Sequence, residues 1–237
     1  MQTCVTDAPS ARRSGTAWRV ALLVFTAASL AGQTYRFQTL TGIEAVNVKP
    51  VTATYRGQAA MRLLDNQSQT APQPGESRAM ALVANSDFED GTIEAELAAA
   101  PRSGAMEAAR GFAGIAFRVQ PDNTHFECFY LRPTNARADD QLRRNHSVQY
   151  IAVPDFGWQR LRTEAPGVYE SYADMETGAW TKVKIEVSGT RARLYVNGAS
   201  QPSLIVNDLK LGKSHGKVGL WIGPDTDAYF SQLTIQK

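Results

Sequence analysis

Short runs that alternate apolar and polar residues with period two, broken by glycine and asparagine, constrain this chain more than any other feature. In Thr181–Val187, Val183, Ile185 and Val187 oppose Lys182, Lys184 and Glu186; in Arg191–Val196, Ala192, Leu194 and Val196 oppose Arg191, Arg193 and Tyr195. This pattern marks a strand with one face in a core and the other in water. Ser188-Gly189-Thr190 between the two runs reads as a hairpin connection, and Asn197-Gly198 as the turn that follows. Thr92–Leu97 alternates in the same way. Val51–Arg56, Gln58–Leu64, Arg78–Ala84, Gly111–Val119, Thr124–Arg132, Val148–Val153, Val218–Ile222 and Ala228–Ile235 extend the series. No stretch of the chain after Tyr35 holds a helical period for more than three turns. About a dozen short strands with one apolar face predict an all-β fold, a two-sheet antiparallel β-sandwich.

The amino terminus stands apart. Arg12, Arg13 and Arg19 precede the apolar run Val20–Leu30, which ends in small residues at Ala31-Gly32. Basic segment, apolar segment and small-residue end form the pattern of an export signal, and the run falls short of the ~20 apolar residues that span a membrane. Residues 1–31 are therefore expected to be a signal peptide and residues 32–237 a single domain, secreted or periplasmic and free of the membrane after cleavage. The 237-residue chain has 25 Lys+Arg and 23 Asp+Glu; losing Arg12, Arg13, Arg19 and Asp7 leaves 22 of each. A neutral chain is not a general nucleic-acid binder. Cys128 is the one cysteine left after cleavage, so no intramolecular disulfide is expected, and stability falls to core burial.

Two stretches interrupt the strands. Asn66–Glu76, polar with two prolines, reads as a surface loop. Pro133–Tyr172, relieved only by Val148–Val153, is rich in Arg, Asp, Asn, His, Tyr and Trp where a linker would be rich in Gly, Ser and Pro. A long irregular segment with such chemistry is a functional candidate.

Asp87–Leu97 (DFEDGTIEAEL), Gly111–Val119 (GFAGIAFRV), Gly178–Gly198 (GAWTKVKIEVSGTRARLYVNG) and Gly216–Ile235 (GKVGLWIGPDTDAYFSQLTI) resemble, in this order, the 3-keto-disaccharide hydrolase-like domain family. That family belongs to the concanavalin A-like lectin/glucanase superfamily, which shares its strand and turn patterns with laminin-G-like domains. The resemblance implies a jelly-roll sandwich, export and work on glycans.

Sugars are gripped by planar hydrogen-bonding groups and by aromatic faces. Tyr130, Arg132, Asn135, Arg137, Asp139, Arg143, Arg144, Asn145, Gln149, Tyr150 and Trp158 collect on the end of the His125–Arg132 strand and its loop, which makes them the expected carbohydrate contacts. The same arginines could instead form a structural lattice with Asp139 and Asp140. Ile115, Phe117 and Val119 claim the core, so Arg118 is expected on the opposite, polar sheet face, beside Glu94, Glu96, Arg193 and Tyr195 if one sheet holds them all. Trp221 is expected to project outward from its strand, as a sugar platform or beneath the long loop, and Trp180 to pack in the core. Parity leaves Phe126–Leu131 open: Phe126, Cys128 and Tyr130 face the core, or Phe129 and Leu131 do.

Glycoside cleavage ordinarily needs two carboxylates roughly 5–9 Å apart. The candidates are Glu127 with Asp139 or Asp140, and His146 is a candidate acid or base. Three histidines and one cysteine make no zinc pattern. No resident cofactor is expected, except that Asp122-Asn123, or Asp225 with Asp227, could offer oxygen ligands to Ca²⁺ or equally form turns. Three functions compete: a glycan-processing enzyme, a lectin-like binding module, and an adhesion domain whose arginine-rich loop docks a protein.

Overall fold

A computed structural model describes residues 1–4, 32–65 and 77–237. The apolar run of the expected signal and the Asn66–Glu76 loop lie outside the described residues. The chain folds as a two-sheet antiparallel β-sandwich of the jelly-roll kind. One sheet runs in the order β13 (Leu204–Val206), β12 (Arg191–Val196), β11 (Thr181–Ser188), β6 (Gly91–Pro101), β15 (Thr226–Gln236), β4 (Gln58–Asp65) and β3 (Val48–Tyr55), with β1 (Gln33–Arg36) also on β15. The other runs β10 (Glu170–Ser171), β9 (Val148–Val153), β8 (Phe126–Leu131), β7 (Ala113–Val119), β14 (Lys217–Ile222), β5 (Ala79–Val83) and β2 (Ile43–Val46).

The eight-stranded sheet follows its alternation. Val183, Ile185 and Val187 are buried and pair with Ala95, Ile93 and Gly91 on one side and with Val196, Leu194 and Ala192 on the other. Outside, Lys184 donates to Glu186 at 2.8 Å, and the Tyr195 hydroxyl donates to the same carboxylate. Gly189 (φ 59°) and then Asn197 and Gly198 (φ 52° and 73°) take the left-handed conformations their turns require. Trp180, expected in the core, is instead half-buried, its ring edge-on to Tyr55 at 5.7 Å.

The seven-stranded sheet departs from the expected half-wet pattern: β5, β7, β8 and β9 are buried at every residue. One face meets the other sheet and the segment leaving it. Towards the opposite face the chain between β8 and β10 forms short helices: α1 (Pro133–Ala136), α2 (Gln141–Arg144) and α3 (Trp158–Glu164). α3 packs on β9, and its Leu161 and Trp158 join the apolar cluster. This corrects the reading of Pro133–Tyr172 as largely irregular. One- or two-turn helices are too short to show a period, and α2 is marked only by its cap, the Asp140 carboxylate accepting from the Arg143 amide at 3.1 Å.

Candidate functional site

On the face of the seven-stranded sheet turned away from its partner, one row of residues crosses six strands. Cross-strand pairing sets Glu170 beside Gln149, then Tyr130, Gly114, Trp221 and Met80. A side chain at Gly114 would stand 2.6 Å from the Tyr130 Cβ and 2.1 Å from the Phe129 carbonyl oxygen. Glycine there lets the Tyr130 ring reach Trp221, with centroids 4.9 Å apart. Trp221 is fully buried and its Nε1 donates to the Ser77 carbonyl at 2.9 Å, so it is a covered residue and not an open platform. Burial pushes the Tyr130 phenol up to about 12.

The charged centre lies at the Glu170 end of this row. Arg162 of α3 grips the Glu170 carboxylate with Nε at 2.9 Å from Oε1 and Nη2 at 2.5 Å from Oε2. Arg132, between β8 and α1, has Nη1 3.8 Å from Oε2 and donates through Nη2 to the Tyr130 hydroxyl at 2.7 Å. His146 Nε2 is 3.2 Å from Oε1. Burial, then the charges of Arg162 and Arg132, outweigh the pull of Glu170 and lower the His146 pKa from its ordinary value. That favours neutral imidazole at pH 7. Trp158 lies under both arginines, 4.7 Å from the Arg162 guanidinium and 5.6 Å from that of Arg132.

Around this centre, three buried polar atoms have no protein partner: Asn135 Oδ1, Gln149 Oε1 and Trp158 Nε1. Asn135 spends its amide NH₂ on the His146 carbonyl, which Arg132 also contacts. Gln149 spends its own on the carbonyls of Tyr150 and Tyr169. The remaining atoms are two acceptors and one donor. Buried polar atoms are rarely left unpaired, so these three retain hydrogen-bonding capacity that the protein itself does not use.

The structure thus brings together Tyr130, Arg132, Asn135, His146, Gln149 and Trp158 of the expected residues. It adds Glu170 and Arg162. Glu170 sits in a two-residue strand, too short to alternate, and α3 gave no helical signal to pair Arg162 with it.

Other expected residues lie elsewhere. Asn145 accepts from Gln141 at 2.7 Å, exposed, and Arg137 pairs with Asp174 and Glu176 at the surface. Arg144 donates to the Tyr172 hydroxyl at 3.1 Å. Arg143 and Asp139 are exposed. Arg118 corrects an expectation. It belongs to the seven-stranded sheet, whereas Glu94, Glu96, Arg193 and Tyr195 belong to the other. A register shift and a φ of 53° swing its side chain to the end of the sandwich. There it is fully buried, and it bonds the carbonyls of Glu89, Gly189 and Gly212 and the Asp90 carboxylate. Asp90 also helps line a cavity with Asp87, Glu89, His215 and Lys237.

Nor does the geometry unite Glu127 with Asp140. Asp140 is exposed and caps α2, whereas Glu127 points with Phe129 and Tyr150 towards the segment that follows β13. Glu127 is buried, accepts from the Leu211 amide at 3.0 Å and shares a short hydrogen bond with the Tyr150 hydroxyl, which itself accepts from the Lys210 amide. Burial outweighs these bonds and raises its pKa from 4.5 to about 7. A raised carboxyl pKa contributes stability below pH 4.5 that is lost as pH rises through about 7, some ~3 kcal/mol in all. The Glu127→Gln variant should abolish most of that decline. Urea unfolding of both proteins at pH 4.5, 6 and 8 tests this, and an unchanged slope would overturn it.

The three candidate Ca²⁺-binding carboxylates are engaged within the protein. Asp122 accepts from the Thr124 amide and hydroxyl, Asp225 from Arg102 and the Met106 amide, and Asp227 from Arg62. Among the described residues no group of three or more His, Cys, Asp or Glu could hold a metal ion.

No family model and no curated protein matches the sequence. Solved structures match in fold. The carbohydrate-binding module CBM66 from Bacillus subtilis aligns with a TM-score of 0.51 and 15% identity over 81% of this chain and 92% of its own. A Bacillus subtilis protein of unknown function with a galectin-like fold gives 0.54 and 10% over 86% and 94%. The Crh5 transglycosylase in complex with NAG gives 0.52 and 14% over 87% and 83%. At such identities the likeness shows the jelly-roll fold alone, the level at which the resemblance seen in the sequence holds.

Proposed function

We propose that this protein is an exported carbohydrate-binding β-sandwich whose sugar contacts are Arg132, Asn135, Gln149, Trp158 and the Glu170 pair. The observation that carries this reading is the trio of unpartnered atoms beside a fixed charge pair and an aromatic ring. A sugar hydroxyl both donates and accepts, so it answers Asn135 Oδ1, Gln149 Oε1 and Trp158 Nε1 alike. The fold it shares with a carbohydrate-binding module supports the reading. Binding without turnover is favoured over hydrolysis because Glu170 is committed to two arginines and Asp140 to a helix cap.

Calorimetric titration with a panel of neutral and charged oligosaccharides tests the proposal. Gln149→Leu and Trp158→Ala should each weaken the best ligand by about tenfold or more while melting curves show a folded protein. Wild-type affinity in both variants would sink it. One contact favours a catalytic version: His146, with its pKa lowered by burial and its Nε2 3.2 Å from Glu170, could relay a proton in cleaving a glycoside or 3-keto-disaccharide. Sugar released by the wild type but not by His146→Gln would establish that version, and no release would exclude it.

A further inference from the structure

Positive charge around Glu170 exceeds the carboxylate available to it. Arg132 and Arg162 share this buried group, and His146 stands against one of its oxygens. Three more guanidinium groups lie in the neighbouring segments with no ion pair among the described residues. Arg110, before β7, gives Nη1 to the carbonyls of Glu107 and Ala109 at 2.5 and 2.8 Å, and its own carbonyl accepts from the Thr134 amide of α1. Arg144 lies over Tyr172, its charge 5.2 Å from the ring centre. Arg143 is exposed on α2, one residue before it.

Arg110 lies within electrostatic range of Arg143 and of Arg132. Burial, then the charge of Arg143, lowers the pKa of Arg110 from its ordinary value, with Arg132 adding to the effect and Glu107 opposing it. The nearby acids are spent elsewhere or solvated: Asp140 caps α2, Asp139 and Glu107 are exposed, and Asp174 and Glu176 hold Arg137. Like charges held in mutual range repel, and an anion placed among them relieves the repulsion. The planar guanidinium fork matches carboxylate and sulfate oxygens two at a time.

We propose that the glycan taken at this site carries an anionic group, a carboxylate or a sulfate, which Arg110, Arg143 and Arg144 receive while the Glu170 cluster holds the hydroxyls. This rests on the carbohydrate reading above. Calorimetric titration with three probes of equal length tests it: an oligogalacturonate, a sulfated galacto-oligosaccharide and a neutral galacto-oligosaccharide. At least one anionic probe should bind about tenfold or more tighter than the neutral one, and the ratio should shrink as salt is raised. Whichever anionic probe binds tighter identifies the source of the charge. The Arg110→Gln/Arg143→Gln double variant should reduce the ratio several-fold, whereas Arg193→Gln on the other sheet should leave it unchanged. Neutral binding as tight as anionic, or a ratio untouched by the double variant, overturns this inference and leaves the carbohydrate reading standing. Binding by none of the three overturns it together with that reading.

Discussion

Replacing Glu170 with alanine is expected to cost the fold about 3–5 kcal/mol, the usual penalty for leaving a buried ionic partner uncompensated. The Glu170 side chain is 3% exposed and Arg132 5%, so removing the carboxylate leaves the Arg132 charge without its partner in a poorly hydrated place. Arg162, at 31%, can turn outward and recover part of its hydration. Glu170→Gln keeps the volume and one acceptor, so it should lose less. Denaturant unfolding of the two variants measures the difference. A loss under ~1 kcal/mol for the alanine variant would show that the arginines hold their positions without the carboxylate. Both variants should also lose sugar affinity, because Arg132 and Trp158 are placed through this ion pair.

Arg118→Met should be comparably damaging, at about 3–5 kcal/mol, although it shares no partner with the Glu170 cluster. The guanidinium joins four partners at 2.8–3.0 Å from three segments: Glu89-Asp90 before β6, the β11–β12 turn at Gly189, and Gly212. Asp90 in turn accepts from the Gly189 amide at 2.8 Å. A non-glycine residue at φ 53° is a costly conformation, and the network offsets that cost. Arg118→Lys should not restore stability, since a point charge cannot reach four acceptors spread around a planar fork. Hydrogen exchange should show faster opening at residues 189–190 and 209–212 in the methionine variant. Stability and exchange rates like those of the wild type would refute the role of a clasp.

Some of this was legible in the chain and some was not, for identifiable reasons. β11 and β12 have one wet face, so their alternation revealed their extent and facing to within a residue. β1, β2, β10 and β13 went unread because two to four residues cannot establish a period. In β8, Phe126, Cys128 and Tyr130 are as buried as Glu127, Phe129 and Leu131. A strand covered on both sides carries no polarity difference to read, and only its pairing with β9 and the 208–212 segment puts Glu127 inward. Arg118 was misjudged because strict alternation fails wherever a bulge inserts a residue.

The alternating character of the longer strands, and hence the sandwich, follows from the sequence alone, because the pleat converts local alternation directly into two faces. Which groups meet at Glu170 was decided only in three dimensions. That carboxylate, Tyr130, His146, Gln149, Trp158 and Arg162 come from three strands, a helix and a loop, and strand pairing acts between backbones without leaving any trace in the spacing of side chains along the chain.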